Sequence, residues 1–128
     1  MTALSLLLAV KIAITAGVVI SPFLFMSKAA LDARAGLGAP DLTLYRLYGV
    51  AMLALVVAYA GGLIRTLAGE FPGEIVAMGL VSNAGAAGTM VATGYARVQP
   101  ALTLAFAAVA LGFLMAALWP GPAMTALW

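Results

Sequence analysis

The chain is 128 residues long; 66% of them are hydrophobic and only 8% charged, and it contains neither His nor Cys. A soluble domain carries about 25% charged residues, so this composition cannot cover a water-facing surface and reads as an integral membrane protein. Without Cys the chain can form no disulfide, thiolate metal site or iron–sulfur cluster, and without His it lacks the commonest haem, metal and chlorophyll-type ligand and the commonest general base. The net charge of +2 rests on six Lys or Arg against four Asp or Glu. These do not cluster on one face, which excludes a nucleic-acid footprint.

The first apolar span covers residues 4–26 and is expected to continue as helix beyond the membrane through Ser27–Ala35. Lys11 interrupts this span and no positive charge precedes it, so it reads as a retained span rather than a cleaved signal peptide. Gly36 and Gly38 are expected to break the helix and Pro40 to mark the turn, with Asp41 as the N-cap of the next helix. The second span covers 45–67, and Gly69 and Pro72 bracket a short loop. The third span covers 73–95; Pro100 opens the fourth, which covers 100–119 and ends before Pro120. Each span approaches the roughly 20 apolar residues that cross the hydrocarbon layer. Short connections make sequence neighbours antiparallel neighbours. The expected fold is therefore a single all-α membrane domain, an antiparallel up-down bundle of four transmembrane helices.

Small residues recur every fourth position in all four spans: Ala9, Ala13, Gly17 and Ser21; Ala54, Ala58 and Gly62; Ala84, Gly88 and Ala92; Ala108, Gly112 and Ala116. A spacing of four keeps each series on one helical face. In lipid, such faces let backbones approach closely, and all thirteen residues are candidates for helix packing.

Lys28, Arg34, Arg46 and Arg97 lie on the first and third connections or the adjoining span ends, whereas the other side carries Arg65 and, more loosely, Lys11. The excess of basic residues places loops one and three in the cytoplasm and both termini on the periplasmic side of a bacterial inner membrane. Tyr45, Tyr48 and Tyr95 would then mark the inner interface, and Phe71 and Trp119 the outer one. Lys28 and Asp32, four apart, share a face read as solvated or at headgroup level, and Arg46 reads as an interfacial anchor. Lys28, Arg34, Arg46 and Arg97 are candidate contacts for anionic lipid or a partner.

Four residues are candidates for an intramembrane polar site: Lys11, Tyr59, Glu74 and Asn83. With entry near Ala3, Lys11 lies about 12 Å along the helix axis, where its ammonium either snorkels outward or pairs with Glu74 or Glu70. Asn83, with Ser82, Thr89 and Thr93 on the same helix, is expected to hydrogen-bond to a neighbouring helix. Gly85, Gly88 and Gly94 lie inside an apolar helix and make no phosphate loop. No span carries paired carboxylates, so no catalytic site is expected.

In size and span count the chain resembles small bacterial four-helix membrane proteins, including accessory subunits of photosynthetic and respiratory complexes. The expected function is a non-catalytic structural or accessory subunit, packed against other membrane subunits or itself. It would have no intrinsic cofactor, with membrane lipid or quinone as candidate bound molecules. The alternative is a small oligomeric transporter or channel with a narrow polar path through Lys11, Tyr59 and Asn83.

Overall fold

The computed structural model describes residues 1–35, 38 and 41–127. Among these the chain is all-helical without a strand; an isolated antiparallel bridge joins Thr2 to Ala126. Helix α1 (Ala3–Ile14) passes through a π-helical turn (Thr15–Ile20) into α2 (Ser21–Phe25). Then follow α3 (Lys28–Ala35), α4 (Leu42–Leu67), α5 (Gly73–Ala92), a 3-10 turn (Tyr95–Arg97), α6 (Pro100–Leu118) and α7 (Pro120–Met124). The helical stretch Ala3–Phe25 and helices α4, α5 and α6 are each long and apolar enough to cross a membrane, matching the four spans read from hydropathy.

The helix ends follow local chemistry. Asp41 Oδ1 accepts a hydrogen bond from the Thr43 amide at 2.8 Å, the N-cap geometry expected of it. After α4, the Glu70 amide donates to the Arg65 carbonyl at 2.9 Å and the Gly69 amide to Thr66 at 3.1 Å. With Gly69 at φ 85°, this is a Schellman end. The space around Gly69 is open, so a side chain there meets a conformational penalty and not a clash. Gly69→Ala is expected to lower stability by about 1 kcal/mol, the cost of placing a Cβ in the left-handed region, measurable as a shift in detergent-unfolding midpoint.

Two boundaries differ from the sequence reading, and one short helix is added. The first helix does not continue through Ser27–Ala35: Met26 turns extended (ψ 158°) and Ser27 starts a separate helix, its carbonyl accepting from the Leu31 amide at 3.0 Å. The third helix ends at Ala92 rather than Tyr95, because Thr93 leads into Gly94 at φ 76° and a 3-10 turn. Beyond the fourth helix, Pro120 opens the short helix α7; Trp119, at φ −131° and ψ 69°, lies outside the α region that a following proline disfavours. The expected break at Gly36 and turn at Pro40 lie outside the described residues.

Residues 1–8 and 62–128 form one compact unit and residues 9–61 another. In the first, α5 and α6 run antiparallel, with the Phe113 ring on Gly79 and the Thr103 hydroxyl 3.6 Å from Met90 Sδ. Leu7 of α1 lies over Gly112, and Ile75 over Gly62 at the α4–α5 connection. In the second unit, Gly49 of α4 receives Phe23 and Leu24, and Phe23 tilts against Tyr45 and Tyr48 at ring-centroid distances of 5.6 and 5.1 Å. At Gly49, Gly62, Gly79 and Gly112 a large side chain covers a bare glycine backbone. Such shape complementarity holds helices together where lipid competes equally for apolar surface.

Candidate functional site

The polar residues singled out by sequence occupy different settings. Lys11 is half-buried in the last turn of α1, and Tyr59 is fully buried in α4. Asn83 is buried in α5, where its Nδ2 donates to the Gly79 carbonyl at 2.7 Å and to Ser82 Oγ at 3.3 Å. The buried Thr66 and Thr103 hydroxyls turn back in the same way: Thr66 onto the Gly62 carbonyl at 2.8 Å and Thr103 onto the Gln99 carbonyl at 3.0 Å. No buried side-chain nitrogen or oxygen among the described residues is left without a partner. Back-bonding of this kind meets the hydrogen-bonding need of a polar group within its own helix.

Glu74 lies in the first turn of α5, where a carboxylate complements the helix dipole. Its partner is Arg65, which also reaches Glu70 at 3.4 Å. The Arg65 and Glu74 side chains are 42% and 62% exposed. The pair is a loop clasp, and Glu74→Gln is expected to change stability by less than about 1 kcal/mol in a detergent-unfolding titration. Arg65 was the partner the sequence reading missed. The available signal was its position across the Gly69–Pro72 loop from both glutamates.

The basic residues read as lipid or partner contacts are engaged differently from one another. Lys28 Nζ donates to Asp32 Oδ2 at 2.6 Å, and the Tyr45 hydroxyl donates to Asp32 Oδ1 at 2.6 Å. The hydrogen bond that Lys28 donates to the Asp32 carboxylate raises the Lys28 pKa above its ordinary value. The stabilisation from that shift is fully present below the usual lysine pKa and is lost only as pH rises through the raised value. Arg46 lies with its guanidinium against the backbone: Nη1 donates to the Phe23 carbonyl at 2.6 Å and Nη2 to the Met26 carbonyl at 2.9 Å. Arg34 Nη2 reaches the Val18 carbonyl at 3.4 Å. Arg97 is exposed in the 3-10 turn. The signal for this backbone role was Pro22, a residue without an amide hydrogen inside an apolar helix.

The small-residue series divide. Gly62 and Ala116 are buried, Ala9, Ala58 and Gly112 are half-buried, and Ala54 and Ala108 are exposed. Ala13, Gly17, Ser21, Ala84, Gly88 and Ala92 are all exposed, and a Cβ at Gly17 or Gly88 would meet nothing within 4 Å. Exposed apolar residues accompany them on the same helices, among them Val81 and Val91 of α5 and Val18 of the π turn. A separate open apolar groove of about 440 Å³ lies where the start of α1 meets the end of α6 and α7, lined by Leu4, Leu7, Met115, Trp119 and Pro122 among others.

No metal-binding group of three or more His, Cys, Asp or Glu occurs among the described residues. No protein-family model matches the chain, and neither a curated protein nor a solved structure is significantly similar to it. The chemistry of its own residues therefore carries the functional reading.

Proposed function

We propose that the chain is a non-catalytic membrane subunit that associates through its apolar helices with other membrane proteins or with further copies of itself. In this reading the four apolar helices form an antiparallel up-down bundle in a bacterial inner membrane, with both termini periplasmic. The observation that carries it is the contrast among glycines. Gly49, Gly62, Gly79 and Gly112 are covered by large side chains of this chain, whereas Gly17 and Gly88 stand in exposed small-residue rows with open space above them. A row of this kind suits close approach by a second helix. Larger complexes, photosynthetic or respiratory, supply such helices, as does self-association, and the apolar groove beside Trp119 suits a lipid chain or quinone tail.

Native mass spectrometry after gentle solubilisation is the test. A discrete oligomer or a reproducible co-purifying membrane subunit is the expected result, and a lone monomer under every mild condition would remove the proposal. The transport alternative rests on buried polar side chains. The observed back-bonding of Thr66, Asn83 and Thr103 onto their own helices favours the structural reading over a polar path. Reconstituted vesicles are accordingly expected to show no solute or ion flux that depends on Asn83, as measured with the Asn83→Leu variant.

A further inference from the structure

We infer that Arg46, assisted by Arg34, completes the interrupted backbone of the first span, so that guanidinium–carbonyl bonds lock α2 and α3 into a fixed corner on the start of α4. Pro22 has no amide hydrogen, so the carbonyl four residues earlier, Val18, loses the donor that an α-helix would supply, and the ring crowds that carbonyl. The preceding turn is π-helical, with the Ser21 amide donating to the Ala16 carbonyl five residues back. π turns of this kind recur where a helix carries a local function. Four residues after Pro22 the helix stops, because Met26 is extended, and the last-turn carbonyls face the same shortage of donors.

Backbone carbonyls at the edge of an apolar span need partners, since lipid supplies none. The chain brings them from elsewhere in its sequence. The two terminal nitrogens of Arg46 take the Phe23 and Met26 carbonyls, one each, and Arg34 takes Val18 at longer range. This division of labour requires the planar fork of a guanidinium; an ammonium is a single point. The surroundings favour the same arrangement. Gly49 of α4 has no side chain to obstruct α2, as a Cβ there would lie 2.9 Å from Leu24 Cδ2 and 3.1 Å from Phe23 Cβ. Phe23 is held between Tyr45 and Tyr48, and Tyr45 and Lys28 both grip Asp32 of α3. The corner is thus braced from α3 and from α4. Arg46, a residue whose position alone suggests a lipid headgroup contact, acts as an internal cation of the fold.

Purified protein in detergent micelles tests the lock through thermal unfolding and hydrogen exchange over residues 22–35. Arg46→Ala is expected to lower the unfolding midpoint and to speed exchange in that segment. Millimolar guanidinium chloride should restore both, while sodium chloride at equal ionic strength should not. Arg46→Lys should restore them only in part. Pro22→Ala, which returns an amide donor to Val18, should shrink the effect of Arg34→Ala, giving a non-additive double-mutant cycle. Should Arg46→Ala not fold, the lysine variant and the Pro22 cycle still decide. Full recovery by lysine, no rescue by guanidinium with an unchanged midpoint in Arg46→Ala, or strict additivity in the cycle would each overturn the lock. A variant of normal stability that loses only its binding to anionic vesicles would reassign Arg46 to lipid headgroups.

Discussion

Replacing Phe113 by Ala is expected to destabilise the chain by about 3–5 kcal/mol, the largest effect of any single truncation considered, because it empties the centre of the α5–α6 contact. Phe113 is fully buried, and its ring lies on Gly79, where an added Cβ would come within 2.6 Å of two ring atoms. The ring is enclosed and cannot swing away as a flexible side-chain tip would. Gly79→Ala is therefore expected to cost about 1–3 kcal/mol through overpacking. The two sites share one volume, so their effects should not add. Gly79→Ala combined with Phe113→Leu is expected to be more stable than the sum of the single variants predicts, since each relieves part of the other's defect. Unfolding titrations of the four proteins in mixed micelles give the coupling directly. Additivity would show that α5 and α6 do not meet at this contact.

Gly62→Leu and Gly88→Leu, the same substitution in two small-residue rows, are expected to have opposite consequences. At Gly62 a Cβ would lie 2.7 Å from Ile75 Cγ2, so leucine must push α5 away from the end of α4. A loss of about 1–3 kcal/mol follows from that overpacking, with little direct bearing on association. At Gly88 nothing lies within 4 Å, so leucine is accommodated and the unfolding midpoint should stay close to that of the parent. Under the proposed function, the Gly88 variant should instead lose its oligomer or co-purifying partner, because a large side chain blocks close helix approach. Native mass spectrometry alongside unfolding separates the two. A Gly88→Leu protein with unchanged association would move the docking face away from α5.

These contrasts mark where reading the sequence reached its limit. The period of four in Ala84, Gly88 and Ala92 equals that in Ala54, Ala58 and Gly62, yet of these six only Gly62 is buried. Gly79, which carries the central contact, belongs to none of the small-residue rows. Periodicity reports that a face is smooth; it carries no information on whether a neighbouring helix covers it. The polar candidates show the same limit. Asn83 is visible as a polar group in an apolar run, but its bond to its own helix carbonyl depends on a rotamer that a residue list does not contain.

Composition and hydropathy were enough to determine the class: an all-helical chain, four stretches long enough to span a bilayer, and no Cys or His chemistry. The same holds for the local ends at Asp41, Gly69 and Pro100, because caps, left-handed glycines and helix-opening prolines act through neighbours a few residues away. The tertiary structure alone decided the break at Met26, the clasp of Arg65 on Glu74 and the position of Arg46 on the Phe23 and Met26 carbonyls. In the last case the donor and acceptors are 20 and 23 residues apart. Such a bond exists only when a helix break, a bare glycine and an aromatic cluster bring two segments together, and no local propensity encodes that meeting.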